Sequence, residues 1–553
     1  MQTQISEKPS HHDKLISVTA SEGARRFFQR TPLLRLDACI LSGVLLAFCF
    51  PLPNLTFLVW VACVPLILAV ISEPNPVLGF LWGFLTGVVF LSASLYWFVG
   101  VMRNYGQLSL PEALAAMVLF LVMFAPFWGA FGVIESLAAR HSAKVALALA
   151  PFLWVSMELA RTYLITGFPW NLLGYAVRPQ GLEQVASVTA IYGPSFLGVV
   201  TSALLAWLIL EPRLKLPRWI AMGWVALLIV GNTALAPPPI RPARHLAVLV
   251  QPDVPLNDQG AVNWTPWQNP VPLQHLVQRS LQSAAAHRAG SVGDPLIVWS
   301  ENSAPFFFDQ GPLFRGAVQA MAQQGRAFVV VNTITFAGPR ETRPQNTAIV
   351  LNPSGQKILE YHKIHLVPMG EYVPWWLRFT RMSKMTSEVS DFVPGFHYSV
   401  AHTPQGNLGV FICYEDIFPQ LVRRLVPPGP GVLVNISDDA WYGRSAARFQ
   451  HLNIARFRAI ENHRYLLRAT NDGITAVIDP YGRVIATAPQ YQQAVLAAHF
   501  GYESQRTFYS AHGDVFAWSC VTISVIVFVW TLAGTRISRH SGSGIRNSLT
   551  FEP

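Results

Sequence analysis

Seven long apolar stretches precede a large polar region in this chain, and one more follows it. The stretches lie at 37–50, 55–72, 77–101, 111–139, 145–165, 190–210, 217–236 and 515–534. A helix that crosses a bilayer needs about 20 mainly apolar residues, and every stretch except the first reaches or approaches that length. The pattern predicts a membrane part of about eight helices, with a water-exposed domain inserted before the last helix.

The composition fits a membrane protein with a large polar part. The mean hydropathy is +0.34 and only 13% of the 553 residues are charged, which excludes an ordinary soluble chain. The formal charge of +10 raises the question of a nucleic-acid partner, but the basic residues stand beside the apolar stretches instead of sharing one polar surface. They are a topology signal, and we expect no nucleic-acid partner.

The basic residues cluster on one side of the predicted membrane part. Those on that side are Arg25, Arg26, Arg30, Arg35, Arg140, Lys144, Arg213, Lys215, Arg536, Arg539 and Arg546. The short loops on the other side carry little beyond Arg103 and Arg178. Because basic residues are enriched in cytoplasmic loops, the pattern predicts that both termini are cytoplasmic and that the polar region lies outside.

The predicted organisation has six segments. They are a cytoplasmic tail at 1–36, seven transmembrane helices at 37–236, a linker at 237–243, an extracytoplasmic domain at 244–505, a last transmembrane helix at 514–535 and a cytoplasmic tail at 536–553. Pro51 and Pro53 follow the first apolar stretch where a secretory signal would carry a small-residue cleavage site. We therefore interpret that stretch as an uncleaved membrane anchor.

The polar region alternates short β-branched runs with helical patterns. The runs predicted as strands are 245–251, 296–300, 327–333, 347–351, 408–413, 432–436, 465–470 and 475–478, and the predicted helices are 272–289, 313–324, 417–426 and 446–463. This order predicts a layered α/β sandwich. The helix at 446–463 is basic and amphipathic, and we interpret it as a solvated face of that sandwich.

Cys413 is the only cysteine of the polar region. The other four, Cys39, Cys49, Cys63 and Cys520, lie inside apolar stretches. Cys413 ends a strand-like run and is followed by Tyr-Glu-Asp, so it has no disulfide partner within its own domain. A buried structural thiol is the ordinary explanation for such a residue.

Two further reactive side chains follow strand-like runs. Glu301 ends one such run, and Lys363 lies in a stretch that terminates at Pro368. Loops at strand ends are where α/β domains build their sites. A thiol needs a base or a positive neighbour to react as a thiolate, and a carboxylate with a lysine supplies both. His362 and His365 flank Lys363, but they lack partners at ligand spacing, and we expect no metal and no cofactor.

The Glu–Lys–Cys set resembles the active site of the nitrilase superfamily, and its surroundings resemble one branch, the apolipoprotein N-acyltransferase family. The matching runs are 361–374, 413–416 and 435–443. The resemblance implies an α-β-β-α sandwich in which Glu301 is the general base, Lys363 stabilises the oxyanion and Cys413 is the nucleophile.

The same resemblance assigns supporting residues. Glu371 matches a second carboxylate that orients the lysine or the amine. Tyr414 and Glu415 match the residues after the nucleophile, where the Tyr414 N–H would complete an oxyanion hole. Trp264 and Trp267 both stand where the family has one tryptophan, and we favour Trp264. The chain departs from the family pattern at 251–253, where Gln-Pro-Asp replaces Gln-Gly-Asn, and at Asp438, where asparagine is usual.

The implied reaction is a two-step acyl transfer at the bacterial inner membrane. Cys413 would take a fatty acyl chain from a phospholipid, by resemblance phosphatidylethanolamine, as a thioester. The α-amine of the N-terminal diacylglyceryl-cysteine of an apolipoprotein would then accept it, on the periplasmic side, with the enzyme as a monomer. Two alternatives stay open: a membrane-anchored amidohydrolase of the nitrilase type, and a transporter with an extracytoplasmic binding domain.

A stretch at 375–385 interleaves aromatic and basic residues just after Glu371. Its first two residues are Trp375 and Trp376. Aromatic rings and cations together suit a segment at the level of lipid headgroups. We therefore predict that Trp375 and Trp376 contact the lipid substrate.

Overall fold

The computed structural model describes residues 31–254, 270–302, 307–338, 343–375, 392–426 and 428–543, the side chains only as far as 533. The helices that precede the polar region are α1 (Pro32–Phe48), α2 (Val64–Ile71), α3 (Pro76–Ser94), α4 (Trp97–Asn104), α5 (Leu110–Phe124), α6 (Pro126–His141), α7 (Ala143–Tyr163), α8 (Gln180–Glu183), α9 (Ala186–Thr189), α10 (Tyr192–Leu210) and α11 (Lys215–Ala234).

Two predicted membrane stretches are interrupted. The stretch at 55–72 forms a 3-10 turn, Thr56–Trp60, before α2. The stretch at 111–139 is divided between α5 and α6 at Pro126, whose ring and missing N–H break the helical hydrogen-bond ladder.

Five helical segments in the described part of the chain are long and apolar enough to cross a bilayer. They are Pro76–Ser94, Leu110–His141, Ala143–Tyr163, Tyr192–Leu210 and Val515–Ala533. Their length and composition are those of an integral membrane protein. The full count of eight spans stays a prediction.

The polar region folds into two six-stranded sheets. Its strands are β1 (His245–Gln251), β2 (Leu296–Trp299), β3 (Phe328–Ala337), β4 (Arg343–Leu351), β5 (Lys357–His362), β6 (Ala401–Thr403), β7 (Gly406–Ile412), β8 (Gly431–Ser437), β9 (Leu466–Thr470), β10 (Ala476–Ile478), β11 (Val484–Thr487) and β12 (Ala494–Phe500). The first sheet has the order β12-β1-β2-β3-β4-β5 and the second β11-β10-β9-β8-β7-β6.

Helices cover the sheets. They are α12 (Val271–His287), α13 (Pro312–Gly325), α14 (Pro419–Arg424) and α15 (Ala447–Asn462), followed by α16 (Phe508–His512) and α17 (Val515–Ser543). Strand β1 shows why the layers form: Leu246, Val248 and Val250 pack toward α12 and α13, whereas Ala247 and Leu249 belong to the core that the second sheet shares. Successive side chains of a strand point to opposite faces, so an apolar strand joins two layers. The predicted α-β-β-α sandwich is confirmed.

Strand directions bring several carboxyl ends to one place. In the first sheet β2 pairs parallel with β3, and β5 shares their direction because two antiparallel pairings, β3–β4 and β4–β5, intervene. In the second sheet β7, β8 and β9 are mutually parallel. Segments that follow β2, β5, β7 and β8 can therefore meet between the sheets, as the ends of parallel strands do in other α/β proteins.

Helix α15 is buried, so its interpretation as a solvated face is wrong. Its buried residues are Ala447, Arg448, Gln450, His451, Asn453, Ile454, Ala455, Phe457, Arg458, Ala459, Ile460, Glu461 and Asn462. The helix is covered on one side by the second sheet and on the other by the membrane part, to which Gln450 and Asn453 donate hydrogen bonds at the carbonyls of Pro51 (2.9 Å) and Tyr175 (2.8 Å). Its polar side chains bind protein groups instead of water.

Trp170 joins the membrane part to this helix. Its indole N–H donates to Gln450 Oε1 at 2.8 Å, and its ring stacks on the ring of His451 with centroids 5.3 Å apart. Trp97 donates to the same Gln450 oxygen at 3.2 Å. The membrane helices and the sandwich therefore meet through directed polar contacts close to the segment that carries Cys413.

Candidate active site

Glu301 follows β2 and is held by neighbours from two other strands. Its Oε1 accepts a hydrogen bond from Asn346 Nδ2 at 2.8 Å, and its Oε2 accepts one from the Asp438 N–H at 3.0 Å. The residue is only 4% exposed. Donors on both oxygens fix the carboxylate in one orientation, as a general base requires.

Lys363 follows β5 and lies between two carboxylates. Its Nζ is 2.9 Å from Glu371 Oε1 and 3.5 Å from Glu301 Oε1. Burial by itself would lower the pKa of Lys363, but Glu301 and Glu371 outweigh it and hold the pKa above its usual range. The side chain is therefore a buried ammonium ion with a fixed position.

Cys413 begins the turn after β7. Its φ of +49° is a left-handed conformation that non-glycine residues seldom adopt, and such strain is common at reactive positions. Burial raises the pKa of the Cys413 thiol well above its usual range, and the Glu301 carboxylate raises it further, while Lys363 partly offsets both. The thiol is neutral at rest and must give up its proton as it reacts.

Glu415 connects the two loops that carry the thiol and the lysine. Its Oε2 accepts from the Ile412 N–H at 2.7 Å, and its Oε1 accepts from Tyr361 Oη at 2.8 Å and the Ile364 N–H at 2.7 Å. Burial raises the pKa of Glu415 to about 7, against the lowering effect of these donors. The residue holds the backbone beside Cys413 and beside Lys363 at a fixed separation.

Tyr414 is buried beside the lysine loop. Its ring contacts His365, with centroids 5.9 Å apart, and Phe418 at 5.4 Å. Burial, and then Lys363, lower the pKa of His365 to about 4, so this imidazole is neutral. The proposed oxyanion donor, the Tyr414 N–H, lies in the first turn of the 3-10 helix Cys413–Ile417, where backbone N–H groups have no partner within the helix.

Asp438, the departure from the family pattern, lies directly beside Glu301. Its Oδ1 accepts from the Ala440 N–H at 3.1 Å and from Asn471 Nδ2 at 3.2 Å, and its Oδ2 accepts from Asn302 Nδ2 at 3.1 Å. Burial and the Glu301 carboxylate raise the pKa of Asp438 to about 8. The backbone contact to Glu301 does not depend on the side chain, so it survives the replacement of asparagine by aspartate.

A second cluster of buried charges lies next to the turn that begins at Cys413. Asp416 pairs with His451 at 2.7 Å and with Arg468 at 3.2 Å, and Asp439 pairs with the same two cations at 3.0 and 2.8 Å. All four side chains are fully buried. Two carboxylates face Arg468 and His451, so the charges of this cluster balance while His451 is protonated.

The structure brings together Glu301, Lys363 and Glu371 by direct contact, and it places Cys413 and Glu415 in the loops next to them. Trp375, four residues after Glu371, is 72% exposed. Trp264, Trp267 and Trp376 lie outside the described residues, so their predicted substrate contacts stay predictions.

Asn346 was missed by the sequence interpretation. Its Nδ2 donates at 2.8 Å to both Glu301 and Glu371, and its Oδ1 accepts from Asn332 Nδ2 at 2.8 Å. The available signal was a polar pair, Gln345 and Asn346, just before the apolar run 347–351. Asp416 and Asp439, the acidic partners of His451 on α15, were missed as well. Residues that are far apart in the sequence do not form a local spacing pattern that could reveal their contact.

The fold and the site are those of an integral membrane protein with a carbon–nitrogen hydrolase domain. Residues 249–506 match the family described as Carbon-nitrogen hydrolase, and residues 42–204 match the Apolipoprotein N-acyltransferase N-terminal domain. The crystallised amidase from Nesterenkonia sp. is 18% identical, covers 49% of this chain and 94% of its own, and has a TM-score of 0.34.

Full-length relatives identify the particular family. The apolipoprotein N-acyltransferase of Geobacter metallireducens is 35% identical over 514 residues, which cover 91% of this chain and 95% of that protein. The apolipoprotein N-acyltransferase of Methylococcus capsulatus is 32% identical over 485 residues, which cover 86% and 91%. The chain belongs to the apolipoprotein N-acyltransferase family, and it is an enzyme of the membrane.

Proposed function

We propose that this enzyme moves a fatty acyl chain from a membrane phospholipid to the α-amine of a diacylglyceryl-cysteine at the N-terminus of an apolipoprotein. One observation carries the proposal. A buried base, Glu301, and a buried ammonium, Lys363, are fixed 3.5 Å apart beside the Cys413 loop, and that loop adjoins the membrane helices through α15. This position puts the thiol close to the membrane helices, where phospholipid acyl chains are available.

The first half of the reaction forms a thioester. Glu301 takes the Cys413 proton while the sulfur attacks the ester carbonyl of the phospholipid. The Lys363 ammonium, with the Tyr414 N–H, stabilises the oxyanion of the tetrahedral intermediate. Glu301 then returns the proton to the alkoxide oxygen of the leaving lysophospholipid. Phosphatidylethanolamine is the proposed donor.

The second half transfers the acyl chain to the amine. Glu301 deprotonates the incoming ammonium of the diacylglyceryl-cysteine and releases that proton to water. The nitrogen then attacks the thioester carbonyl, and Glu301 takes a second proton from the nitrogen and passes it to the departing Cys413 sulfur. The oxyanion forms at the same position as before, next to Lys363, and the Cys413 thiol leaves with its proton restored. Because a single thiol serves both halves, ping-pong kinetics are expected.

The basic residues support a periplasmic site. With both termini in the cytoplasm, the catalytic domain lies on the periplasmic side of the membrane. We also propose that the enzyme acts as a monomer. A thiol-reactive, membrane-impermeant probe tests this orientation on cysteines introduced into an otherwise unchanged chain at exposed Gln282 and at exposed Lys144. Labelling in intact spheroplasts is expected at position 282 and not at position 144; the reverse pattern would contradict the orientation.

Trp375 supports a lipid-facing loop beside the site. Its side chain is 72% exposed, as an aromatic residue at the level of lipid headgroups would be. Replacement of Trp375 by alanine is expected to raise KM for phospholipid in vesicles severalfold and to leave the unfolding temperature unchanged. Equal KM values in the two proteins would remove this role.

A transfer assay separates the proposal from its nearest alternative. Purified enzyme receives phosphatidylethanolamine labelled in one acyl chain and a synthetic diacylglyceryl-cysteinyl peptide. The proposal expects the label as an amide on the peptide, and Cys413→Ala is the matched inactive control. Label recovered as free fatty acid, with none on the peptide, would identify an amidohydrolase-type enzyme in which water resolves the thioester.

A further inference from the structure

The end of β8 places a hydroxyl group beside the nucleophile. Strands β7 and β8 pair in parallel with Ile412 opposite Ile436, so the next residues, Cys413 and Ser437, are neighbours. The Ser437 hydroxyl donates to Asp439 Oδ1 at 2.8 Å, and it lies near enough to the Cys413 thiol to lower the pKa of that thiol. Ser437 is fully buried. It therefore lies between the reactive thiol and the balanced charge cluster.

A hydroxyl has one proton, so Ser437 can donate to only one of its two neighbours at a time. Asp439 has another donor: Arg468 Nη2 contacts its two carboxylate oxygens at 2.9 and 2.8 Å. Asp439 therefore stays satisfied when the hydroxyl turns away. A thiolate, in contrast, gains a charge-assisted hydrogen bond, which is stronger than a neutral one.

We propose that Ser437 is a catalytic hydroxyl whose O–H turns from Asp439 to the Cys413 sulfur as the thiolate forms. The S–H bond breaks, its proton moves to a Glu301 carboxylate oxygen and the electron pair stays on sulfur. The Ser437 O–H bond rotates and does not break. When the S–C bond of the thioester forms, the hydroxyl turns back to Asp439. This proposal rests on the proposed function, since it takes Cys413 as the nucleophile.

The charges around the thiol explain why such a donor is needed. Burial and Glu301 act against the thiolate, while Lys363 and Ser437 act in its favour. Lys363 itself is engaged by Glu301 and Glu371. A hydrogen bond to the charged form of a group lowers its pKa, and Ser437 offers one from the side of the second sheet.

Alkylation of Cys413 by iodoacetamide across a pH series tests the proposal on the purified full-length protein. Mass spectrometry follows the Cys413 peptide, so labelling of other cysteines does not interfere. Ser437→Ala is expected to shift the midpoint of the rate profile upward by about one pH unit, with a roughly tenfold lower rate below the midpoint. A midpoint equal to that of the unmodified enzyme would overturn the proposal.

Ser280→Ala is the matched control. Ser280 on α12 is equally buried, and its hydroxyl accepts from the Trp299 indole at 3.0 Å, on the far side of the first sheet. This variant is expected to leave the alkylation profile unchanged. An equal shift in both variants would show a general effect of losing a buried hydroxyl and would count against the proposal.

Two more variants keep the test decisive. Ser437→Thr retains the hydroxyl and is expected to restore the profile, and a folded threonine variant that behaves like alanine would contradict the proposal. Ser437→Cys keeps the shape but donates weakly, so it is expected to shift the midpoint upward even where alanine does not fold. The alkylation profile does not depend on acyl transfer. Transfer that survives Cys413→Ala would reject the proposed function instead.

Discussion

Two clusters of buried charge lie next to each other in the catalytic domain, and they differ in balance. Next to the Cys413 turn, Asp416 and Asp439 face Arg468 and His451, and each carboxylate contacts both side chains, so the charges balance while His451 is protonated. Among the described residues of the site, Glu301 and Glu371 share the single ammonium of Lys363. A balanced buried cluster supports the fold, whereas a surplus carboxylate held beside a thiol is available to act as a base.

Both clusters are buried, so the balance of charge matters in each. Removing the partner of a buried ion lowers the stability of the fold. A buried ion that already has too few partners lowers that stability before any substitution is made. The two clusters should therefore answer differently to the same kind of substitution. Neutralising a carboxylate should cost stability in the balanced cluster and activity in the reactive one.

Glu301→Gln is expected to have the largest effect on activity. The variant keeps the shape of the side chain but loses the base and the surplus negative charge. Thioester formation should therefore fall about 10³-fold, while the free energy of unfolding changes by less than about 1 kcal/mol. Rapid-quench mass spectrometry of acylated Cys413, with thermal unfolding in detergent, measures both. A variant that is as active as the unmodified enzyme would remove the distinction between the two clusters.

Asp439→Asn is the counterpart in the balanced cluster. It leaves Arg468 and His451 with one carboxylate between them, and the loss of a buried ionic partner costs about 3–5 kcal/mol. Thermal unfolding should show a marked drop in the transition temperature. An unchanged transition would mean that this cluster does not support the fold.

Glu371→Gln should have a smaller effect on activity. Glu371 positions the Lys363 ammonium at 2.9 Å and shares Asn346 with Glu301, but it is not the proposed base. We expect kcat to fall about 10- to 100-fold in both half-reactions, with KM for phospholipid unchanged, because a positioning contact is lost. A rise in KM alone would assign Glu371 to substrate binding.

His451→Gln should have the smallest effect, visible in the pH dependence of stability. Burial lowers the pKa of His451 and Arg468 opposes its charge, but Asp416 and Asp439 raise the pKa above 6.5. The stabilisation is therefore complete below pH 6.5 and is lost as pH rises through the raised value. It amounts to about 1.4 kcal/mol for each pH unit by which the pKa in the folded protein exceeds that in the unfolded chain. The variant should be less stable at low pH and lack this decline. A parallel decline in both proteins would contradict the assignment.

Much of the architecture could be predicted from local sequence. Apolar length indicated the membrane part, and β1 begins and ends where its apolar run does, at His245 and Gln251. The edge strands β6 and β12 were missed, because short or half-exposed strands lack a clear apolar pattern. Helix α15 was misjudged, since its charged residues are buried only because partners from distant segments receive them.

The residues of the site also divide into those that local sequence predicts and those that it does not. Glu301, Lys363 and Cys413 each follow a strand and were recognised by motif. Asn346 and Ser437 act through neighbours on other strands, and their importance depends on strand register, which no local pattern shows. Long-range pairing of polar groups is the part of this site that only three-dimensional structure reveals.

The unbalanced cluster should make Cys413 an acyl carrier, and intact-protein mass spectrometry after incubation with phosphatidylethanolamine alone tests this most directly. We predict a covalent addition of one acyl chain on Cys413 that hydroxylamine removes, absent in Cys413→Ala and discharged by the diacylglyceryl-cysteinyl peptide. Transfer to the peptide at the normal rate by Cys413→Ala, with no adduct on the unmodified enzyme, would contradict it.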